Sequence, residues 1–240
     1  MKKEQVIALI LIEVMLAVMV IARPSIEMIL LCIFTQMQLF VNLTAYRIKD
    51  ALFNGADWLR RTVYFVPYTS AIILFASITS AVEHLLHVMP IAICIGIIFL
   101  LPHLNEIKAF YNKDLVIFFP PLTFRQALLE FYSHIFSSIF QELYFKAFVM
   151  YLLIPRFGIP IAILASAILF VGDHLVHARS AAFKLPDFLA QFALSICAGL
   201  LYVYSGSVWA AVMVHFTFNA PLGVSYLFRY WVRKGNLELN

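Results

Sequence analysis

Residues 137–153, SSIFQELYFKAFVMYLL, place three strongly polar side chains within an otherwise apolar run: Gln141, Glu142 and Lys146. An ionisable group at membrane depth costs about 2.5–3.5 kcal/mol on insertion scales, so such residues indicate a functional site or a specific helix contact. The meaning of this stretch depends on whether the chain lies in water or in lipid, and on which other polar residues lie at the same depth.

The composition of the whole chain identifies that solvent. Of the 240 residues, 63% are hydrophobic and only 12% are charged, and the mean hydropathy is +0.92. A soluble protein of this size could not bury so much apolar surface, so most of the chain is predicted to lie in lipid. This excludes a water-soluble globular protein. The length suits a single integral-membrane domain, 1–240.

Apolar runs of about 20 residues, the length of helix that crosses a hydrocarbon core, predict the transmembrane spans. The predicted spans are Val6 to Ala22, Ile26 to Tyr46, Val63 to Val82, Leu85 to Leu101, Thr123 to Leu153, Ile159 to His177, Phe188 to Tyr204 and Val208 to Phe228. The fifth is too long for a simple crossing, so we expect it to tilt or to begin as an interfacial helix after Pro120 and Pro121. The sequence therefore predicts an all-α polytopic membrane helix bundle of about eight transmembrane helices, with a motif-bearing core at about 123–228.

The distribution of basic residues predicts the orientation of these spans. If the N-terminus is cytoplasmic, almost all of the 17 lysines and arginines fall on the cytoplasmic side. The other side receives only Arg23 and Arg156, and Lys146 lies within a span. This bias follows the positive-inside rule and predicts that both termini are cytoplasmic, and the expected location is a bacterial plasma membrane. Basic loops facing anionic lipid explain the net charge of +4 without a nucleic-acid partner.

Three of the predicted helices in the C-terminal half carry further polar residues at membrane depth. Glu142 and Lys146 are four residues apart and can pair with each other, which lowers the cost of burying either. Phe170 and His174 share a helix face, with Asp173 one step round from His174. His215 and Asn219 share a face of the last span. Side chains of these types can polarise water, hold an oxyanion or bind a metal if the three helices pack together.

The order and spacing of three short motifs carry a resemblance to a known family. QELYFK occupies 141–146, FVGDH occupies 170–174 and HFTFN occupies 215–219. This pattern resembles the CPBP family (also called ABI), the type II CAAX prenyl endopeptidases and their bacterial relatives. That family is marked by EExxxR, FxxxH and HxxxN or HxxxD. The resemblance covers roughly 140–221, and the eight-helix count is similar to the family fold.

The resemblance implies a role for each matching position. The first glutamate of the family acts with the histidine of FxxxH to activate water, and the third motif stabilises the oxyanion. The second glutamate and the arginine are more structural. Carried over, these roles fall on Gln141 with His174, on His215 with Asn219, and on Glu142 with Lys146.

Two positions depart from the family pattern. Gln141 stands where the family keeps its base, and an amide can hydrogen-bond a water but cannot take its proton. Lys146 replaces the arginine, which keeps the charge and loses the bidentate fork. Either Glu142 or Asp173 has then taken over as base, or the site binds without cutting. Glu142 does not point where Gln141 does, because adjacent helix residues point about 100° apart, and Asp173 is likewise one residue away from His174.

The sequence is compatible with three functions. The first is an intramembrane endopeptidase that cleaves a peptide or membrane-protein segment by activated water. The second is a catalytically inactive member that acts as a membrane scaffold or a bacteriocin-immunity-type binding protein. The third is a small transporter, which the absence of visible inverted repeats disfavours. Under the first two, the expected partners are the lipid bilayer and a peptide or membrane protein, with no nucleic acid.

No cofactor is expected. The resemblance leaves a divalent metal open, because family members have been called metalloproteases. With Gln141 in place of a carboxylate, the implied site would offer two neutral imidazoles and two amides. That is a poor donor set for zinc, so the sequence predicts no metal.

Overall fold

The computed structural model describes residues 3–51, 53–74, 85–177 and 185–238, and these ranges contain helices and no strand. The α-helices are α1 (Lys3–Ala22), α2 (Ile26–Thr44), α3 (Ala56–Val63), α4 (Val66–Leu74), α5 (Leu85–Leu100), α6 (Leu104–Tyr111), α7 (Lys113–Val116), α8 (Phe124–Glu142), α9 (Tyr151–Phe157), α10 (Ile159–His177), α11 (Leu185–Ser205) and α12 (Val208–Glu238). Two 3₁₀ segments, Ala45–Asp50 and Leu101–His103, follow α2 and α5, and a π-helical segment, Leu143–Met150, joins α8 to α9.

Seven helical segments within these ranges are long and apolar enough to cross a membrane. They are Lys3–Ala22, Ile26–Asp50, Leu85–Tyr111, Phe124–Phe157, Ile159–His177, Leu185–Ser205 and Val208–Gly235. Their outward faces carry exposed apolar side chains such as Ile21, Ile26 and Leu86, which are 75–80% exposed and suit lipid contact. The chain is therefore an integral membrane protein with an all-α polytopic bundle.

These seven segments correspond to seven of the eight predicted spans. The other predicted span, Val63 to Val82, is described only as far as Leu74, at the end of α4. Its remaining residues, 75–82, lie outside the described ranges. The predicted spans and the observed helical segments otherwise differ mainly at their ends, where 3₁₀ turns or further helical residues lengthen the segments.

The long fifth predicted span is one continuous helical segment of 34 residues, Phe124–Phe157. It begins after the two prolines with a capping box, in which Thr123 Oγ1 accepts from Gln126 N and Gln126 Oε1 accepts from Thr123 N. It ends at Gly158, whose φ of +79° favours glycine and whose N–H donates to Ile154 O at 2.9 Å. These two signals set the ends of the helix that carries Gln141.

The buried apolar residues form two clusters. The first joins α1, α2, α4, α9, α10 and the π-helical segment, and the second joins α5, α11 and α12. Of the helices that carry the sequence motifs, α10 contributes to the first cluster and α12 to the second. Contacts between these two helices therefore link the two parts of the bundle.

Close approach of α5 to α12 depends on Gly96. A Cβ at this position would lie 2.6 Å from Thr217 Cβ and 2.7 Å from Val214 O, both on α12. A backbone oxygen cannot move aside as a flexible side chain would. Small residues at such crossings let transmembrane helices pack closely, because lipid offers little hydrophobic driving force between them.

We predict that Gly96→Ala lowers the free energy of unfolding by about 1–3 kcal/mol, because the added methyl group overpacks the crossing of α5 and α12. Gly235→Ala is the matched control, since a Cβ there meets nothing within 4 Å. The control should be neutral or slightly stabilising, as alanine is the better helix former. Thermal unfolding of the two purified variants in detergent measures this, and equal effects would contradict the close approach.

Candidate active site

Glu142, the last residue of α8, contacts His215 of α12. Both side chains are buried, with residue exposures of 0% and 3%, and His215 Nδ1 lies 2.9 Å from Glu142 Oε1. An ionised carboxylate only accepts hydrogen bonds, so Nδ1 carries the proton and donates it. A charge-assisted hydrogen bond therefore joins the two helices, and it does not use His215 Nε2, which can still interact with a water or a substrate.

His174 of α10 is held by its own helix. Its Nδ1 lies 2.8 Å from Phe170 O, one turn earlier. A backbone carbonyl can only accept, so Nδ1 is the protonated nitrogen and Nε2 keeps its lone pair. The position of the proton follows from this contact.

The Phe170 ring connects the two histidines. Its centroid lies 4.4 Å from the ring of His174 and 5.6 Å from the ring of His215. His174 is also within electrostatic range of both His215 and Glu142. The FxxxH and HxxxN motifs are thus brought together around one aromatic ring.

Asn219 lies one turn after His215 and is anchored to α8. Its Nδ2 donates to Ser138 Oγ at 3.0 Å, and Ser138 Oγ in turn donates to His134 O at 2.9 Å. Ser138 is completely buried. The amide of Asn219 keeps a second N–H, which this contact leaves free to donate.

Gln141 and Glu142 each present a buried oxygen that lacks a partner. The Gln141 side chain lies beside the hydroxyl group of Tyr68 on α4. Within the described ranges, neither Gln141 Oε1 nor Glu142 Oε2 has a hydrogen-bond partner. Buried acceptors in folded proteins are almost always satisfied, so these two atoms are suited to accept hydrogen bonds from a water or a substrate N–H.

Glu142 and Lys146 do not make the direct contact that their spacing allows, because their hydrogen bonds go to other helices. Lys146, completely buried, donates from Nζ to Ser195 Oγ at 2.7 Å on α11 and to Ser166 Oγ at 3.3 Å on α10. The reason lies in the π-helical segment 143–150, whose wider turn changes the spacing on which the four-residue pairing depends. Lys146 therefore joins the π-helical segment to α10 and α11, and Glu142 turns to α12.

Asp173, a candidate base from the sequence, faces away from the Glu142–His215 pair. Its carboxylate accepts from Asn42 Nδ2 on α2 and from the Tyr68 hydroxyl group at 2.8 Å. Its neighbour His174 points to a different side of α10, as the rotation of about 100° per residue requires. Asp173 thus belongs to a second polar cluster.

Several contact residues were missed by the sequence analysis. Ser138, Ser166 and Ser195 anchor Asn219 and Lys146, and all three are completely buried. Their only signal is that each is a small polar residue within an apolar helix. Such residues commonly hydrogen-bond across helices in membranes, so the signal gives no unique partner.

The side chains around His174 and His215 do not suit a metal ion. Among the residues that the structure describes, no group of three His, Cys, Asp or Glu side chains could hold one. Glu142 Oε2 is a carboxylate oxygen without a partner in these residues, but it does not form such a group with the two imidazoles, so no metal is invoked in the chemistry below.

A protein-family model matches this part of the chain. Residues 123–221 match the family described as Type II CAAX prenyl endopeptidase Rce1-like, and the match includes all three motifs. It covers less than half of the chain. No curated protein and no solved structure matches the chain.

Residues 123–221 of this integral membrane protein are therefore similar to the type II CAAX prenyl endopeptidases.

We predict that Ser195→Ala lowers the free energy of unfolding by about 1–3 kcal/mol, because the buried Lys146 ammonium loses its shorter hydrogen bond. Ser133→Ala is the control, since Ser133 Oγ donates to Leu129 O of its own helix at 2.9 Å. That change should cost less than about 0.5 kcal/mol. Denaturant unfolding in detergent measures both variants, and similar losses would show that Ser195 does not hold Lys146.

Proposed function

We propose that this chain is an intramembrane endopeptidase that cleaves a peptide or membrane-protein segment with an activated water. The observation that carries the proposal is the position of His174, whose Nε2 keeps its lone pair, beside the buried Glu142–His215 pair. Groups that take a proton and groups that stabilise negative charge are the two requirements of peptide hydrolysis by water.

His174 acts as the general base in this proposal. Gln141 Oε1, buried and without a partner in the described residues, accepts a hydrogen bond from the water and orients it. The water gives its proton to His174 Nε2, and its oxygen attacks the scissile carbonyl carbon. His174 then returns the proton to the leaving amine, which breaks the peptide bond.

His215 and Asn219 stabilise the oxyanion that forms. In the proposed step His215 donates from Nδ1 to Glu142 and from Nε2 to the developing negative charge. The free N–H of Asn219 is the second donor. Glu142 thus acts through His215, and Lys146 and Phe170 support the arrangement of the helices around it.

One observation favours the alternative function. Gln141 occupies the position of the family's carboxylate base, and Glu142 is already engaged with His215. A site in this state can bind a peptide segment without hydrolysing it. The alternative is a catalytically inactive family member that acts as a membrane scaffold or an immunity-type binding protein.

Peptide cleavage by the purified full chain tests the proposal. The chain in detergent would be incubated with prenylated CAAX peptides and with a library of unmodified peptides, and the products identified by mass spectrometry. We expect cleavage by the wild type and a loss of about 10²–10⁴-fold in His174→Ala, since the base is removed. Glu142→Gln should lose about 10²–10³-fold, because His215 loses the carboxylate that orients its ring for the oxyanion.

Glu130→Gln is the matched control for Glu142→Gln. Glu130 lies on the same helix, pairs with Arg61 and takes no part in the proposed chemistry, so this variant should retain activity. Gln141→Glu should raise activity, because it restores a carboxylate that can share the proton of the attacking water with His174. A silent wild type together with an active Gln141→Glu variant would contradict the peptidase proposal and support the inactive family member.

We also propose that both termini are cytoplasmic, in a bacterial plasma membrane, with lipid and a peptide or membrane protein as partners and no nucleic acid. The positive-inside bias supports this orientation.

A variant without native cysteines would carry either Arg23→Cys or Asn112→Cys, both at exposed positions. A membrane-impermeant maleimide should label Arg23→Cys in intact cells and Asn112→Cys only after permeabilisation. The reverse pattern would contradict the orientation.

A further inference from the structure

Glu13 is a carboxylate near the middle of α1, on a side of the helix that faces outward. α1 is one of the segments long and apolar enough to cross the membrane, and Glu13 lies near the midpoint of its range, Lys3–Ala22. The residue is exposed, as are its neighbours Ile10 and Val14, which are 56% and 57% exposed. Charged residues at membrane depth almost always face the interior of a bundle, because hydrocarbon does not solvate them. The outward position of Glu13 therefore calls for a partner.

The packing of α1 against α10 fixes the direction in which Glu13 points. One stripe of α1 is buried, and it consists of Gln5, Ala8, Ile12, Leu16 and Met19. Ile12 fits against Gly172 of α10, where a Cβ would lie 2.7 Å from Ile12 Cδ1. Gln5 Nε2 donates to Val176 O of the same helix at 2.9 Å. Adjacent helix residues point about 100° apart, so Glu13 stays outside this stripe while these contacts hold.

Gln36 of α2 donates a hydrogen bond to Glu13. Gln36 Nε2 lies 2.6 Å from Glu13 Oε1, and Gln36 is itself exposed near the midpoint of its helix, Ile26–Thr44. An amide is neutral, so this hydrogen bond does not balance the negative charge. Among the residues that the structure describes, no Lys, Arg or His side chain forms an ion pair with Glu13. The pair of Glu13 and Gln36 therefore keeps one unmet requirement, which is a positive charge.

The depth of Glu13 limits what can supply that charge. Water and the cationic groups of lipids lie at the membrane surface, whereas the middle of a spanning helix is surrounded by acyl chains. A second copy of this chain would bring a second Glu13. It would not bring a cation, because Lys146, the basic residue near the middle of a described span, is completely buried. The remaining source is a different membrane protein.

We propose that the outward face of α1 and α2, defined by Glu13, Ala17 and Gln36, binds a transmembrane helix of another protein that carries an arginine or a lysine at the same depth. Oppositely charged residues at membrane depth pair with one another, since each lowers the cost of the other. Ala17, one turn after Glu13, is exposed and small, so a second helix can approach the carboxylate closely. The cation contacts the Glu13 carboxylate, which the Gln36 amide holds in place.

The face defined by Glu13, Ala17 and Gln36 is separate from the candidate active site. Its residues lie on helices that carry none of the three motifs, whereas the Glu142–His215 pair joins α8 to α12. The inference therefore does not rest on the proposed peptidase activity. The bound helix need not be a substrate, because an ion pair at this face holds it beside the bundle without cleavage.

Binding of designed transmembrane peptides in a bilayer tests this inference. The peptides would be leucine–alanine helices of about 20 residues, with identical lysine-flanked ends and with arginine, leucine or glutamate at the centre. The purified full chain with a donor fluorophore at its C-terminus and peptides with an acceptor would be reconstituted together in phosphatidylcholine vesicles. Energy transfer would then be measured against the peptide-to-lipid ratio. We expect the arginine peptide to bind about tenfold more tightly than the leucine peptide, and the glutamate peptide to bind no more tightly than the leucine peptide.

Two variants assign the preference for arginine to Glu13. Glu13→Gln keeps a polar side chain that can hydrogen-bond Gln36 and removes the charge, so it should bind the arginine and leucine peptides about equally. Glu4→Gln is the matched control, because Glu4 lies in the first turn of the same helix, and this variant should bind as the wild type does. The comparison of the three peptides on the wild-type chain needs no variant, so it carries the test if Glu13→Gln does not fold.

Three results would overturn the inference. Equal binding of the arginine and leucine peptides by the wild type would mean that Gln36 and a proton on the carboxylate satisfy Glu13. A preference for arginine that persists in Glu13→Gln would place the cation elsewhere on the bundle. Energy transfer between two differently labelled copies of the chain, lost in Glu13→Gln, would assign this face to a second copy.

Discussion

The hydrogen bond between Glu142 and His215 is the contact on which the arrangement of the candidate site depends. It joins α8 to α12 at 2.9 Å where both side chains are withdrawn from water and from lipid. In that environment a carboxylate or an imidazolium alone would be costly, whereas together they satisfy each other. Because His215 is fixed in this way, the Phe170 ring lies between it and His174, and Asn219 lies one turn further along the same helix. The three motifs meet because each helix presents one polar face to the others.

This arrangement gives a physical account of the departures from the family pattern. Gln141 retains an oxygen that can orient a water, and the proton transfer in the proposed mechanism passes to His174, whose tautomer is fixed by Phe170 O. Lys146 keeps a positive charge at the position of the family's arginine. A single ammonium that donates to two serines needs less planar space than a guanidinium, which is consistent with its complete burial.

The helical bundle could be predicted from the sequence because lipid leaves the backbone few alternatives. Every N–H and C=O group must be paired within its own segment, so apolar runs of sufficient length become helices. The motif residues could be identified from their order and spacing. Their partners could not, because these depend on how each helix is rotated about its axis. Glu142 contacts His215 and not Lys146, and the π-helical segment behind this difference has no signature in the apolar pattern. The serines that hold Lys146 and the contacts of Asp173 with Asn42 and Tyr68 likewise appear only once the helices are packed.

A double-mutant cycle between Glu142 and His215 tests the central contact most directly. The free energy of unfolding would be measured in detergent for the wild type, Glu142→Ala, His215→Ala and the double variant. A buried charge-assisted hydrogen bond predicts a coupling energy of about 1.5–3 kcal/mol, with the double variant much less destabilised than the sum of the single variants. Effects that add to within about 0.5 kcal/mol would mean that the two side chains do not interact, and would contradict the account of the site.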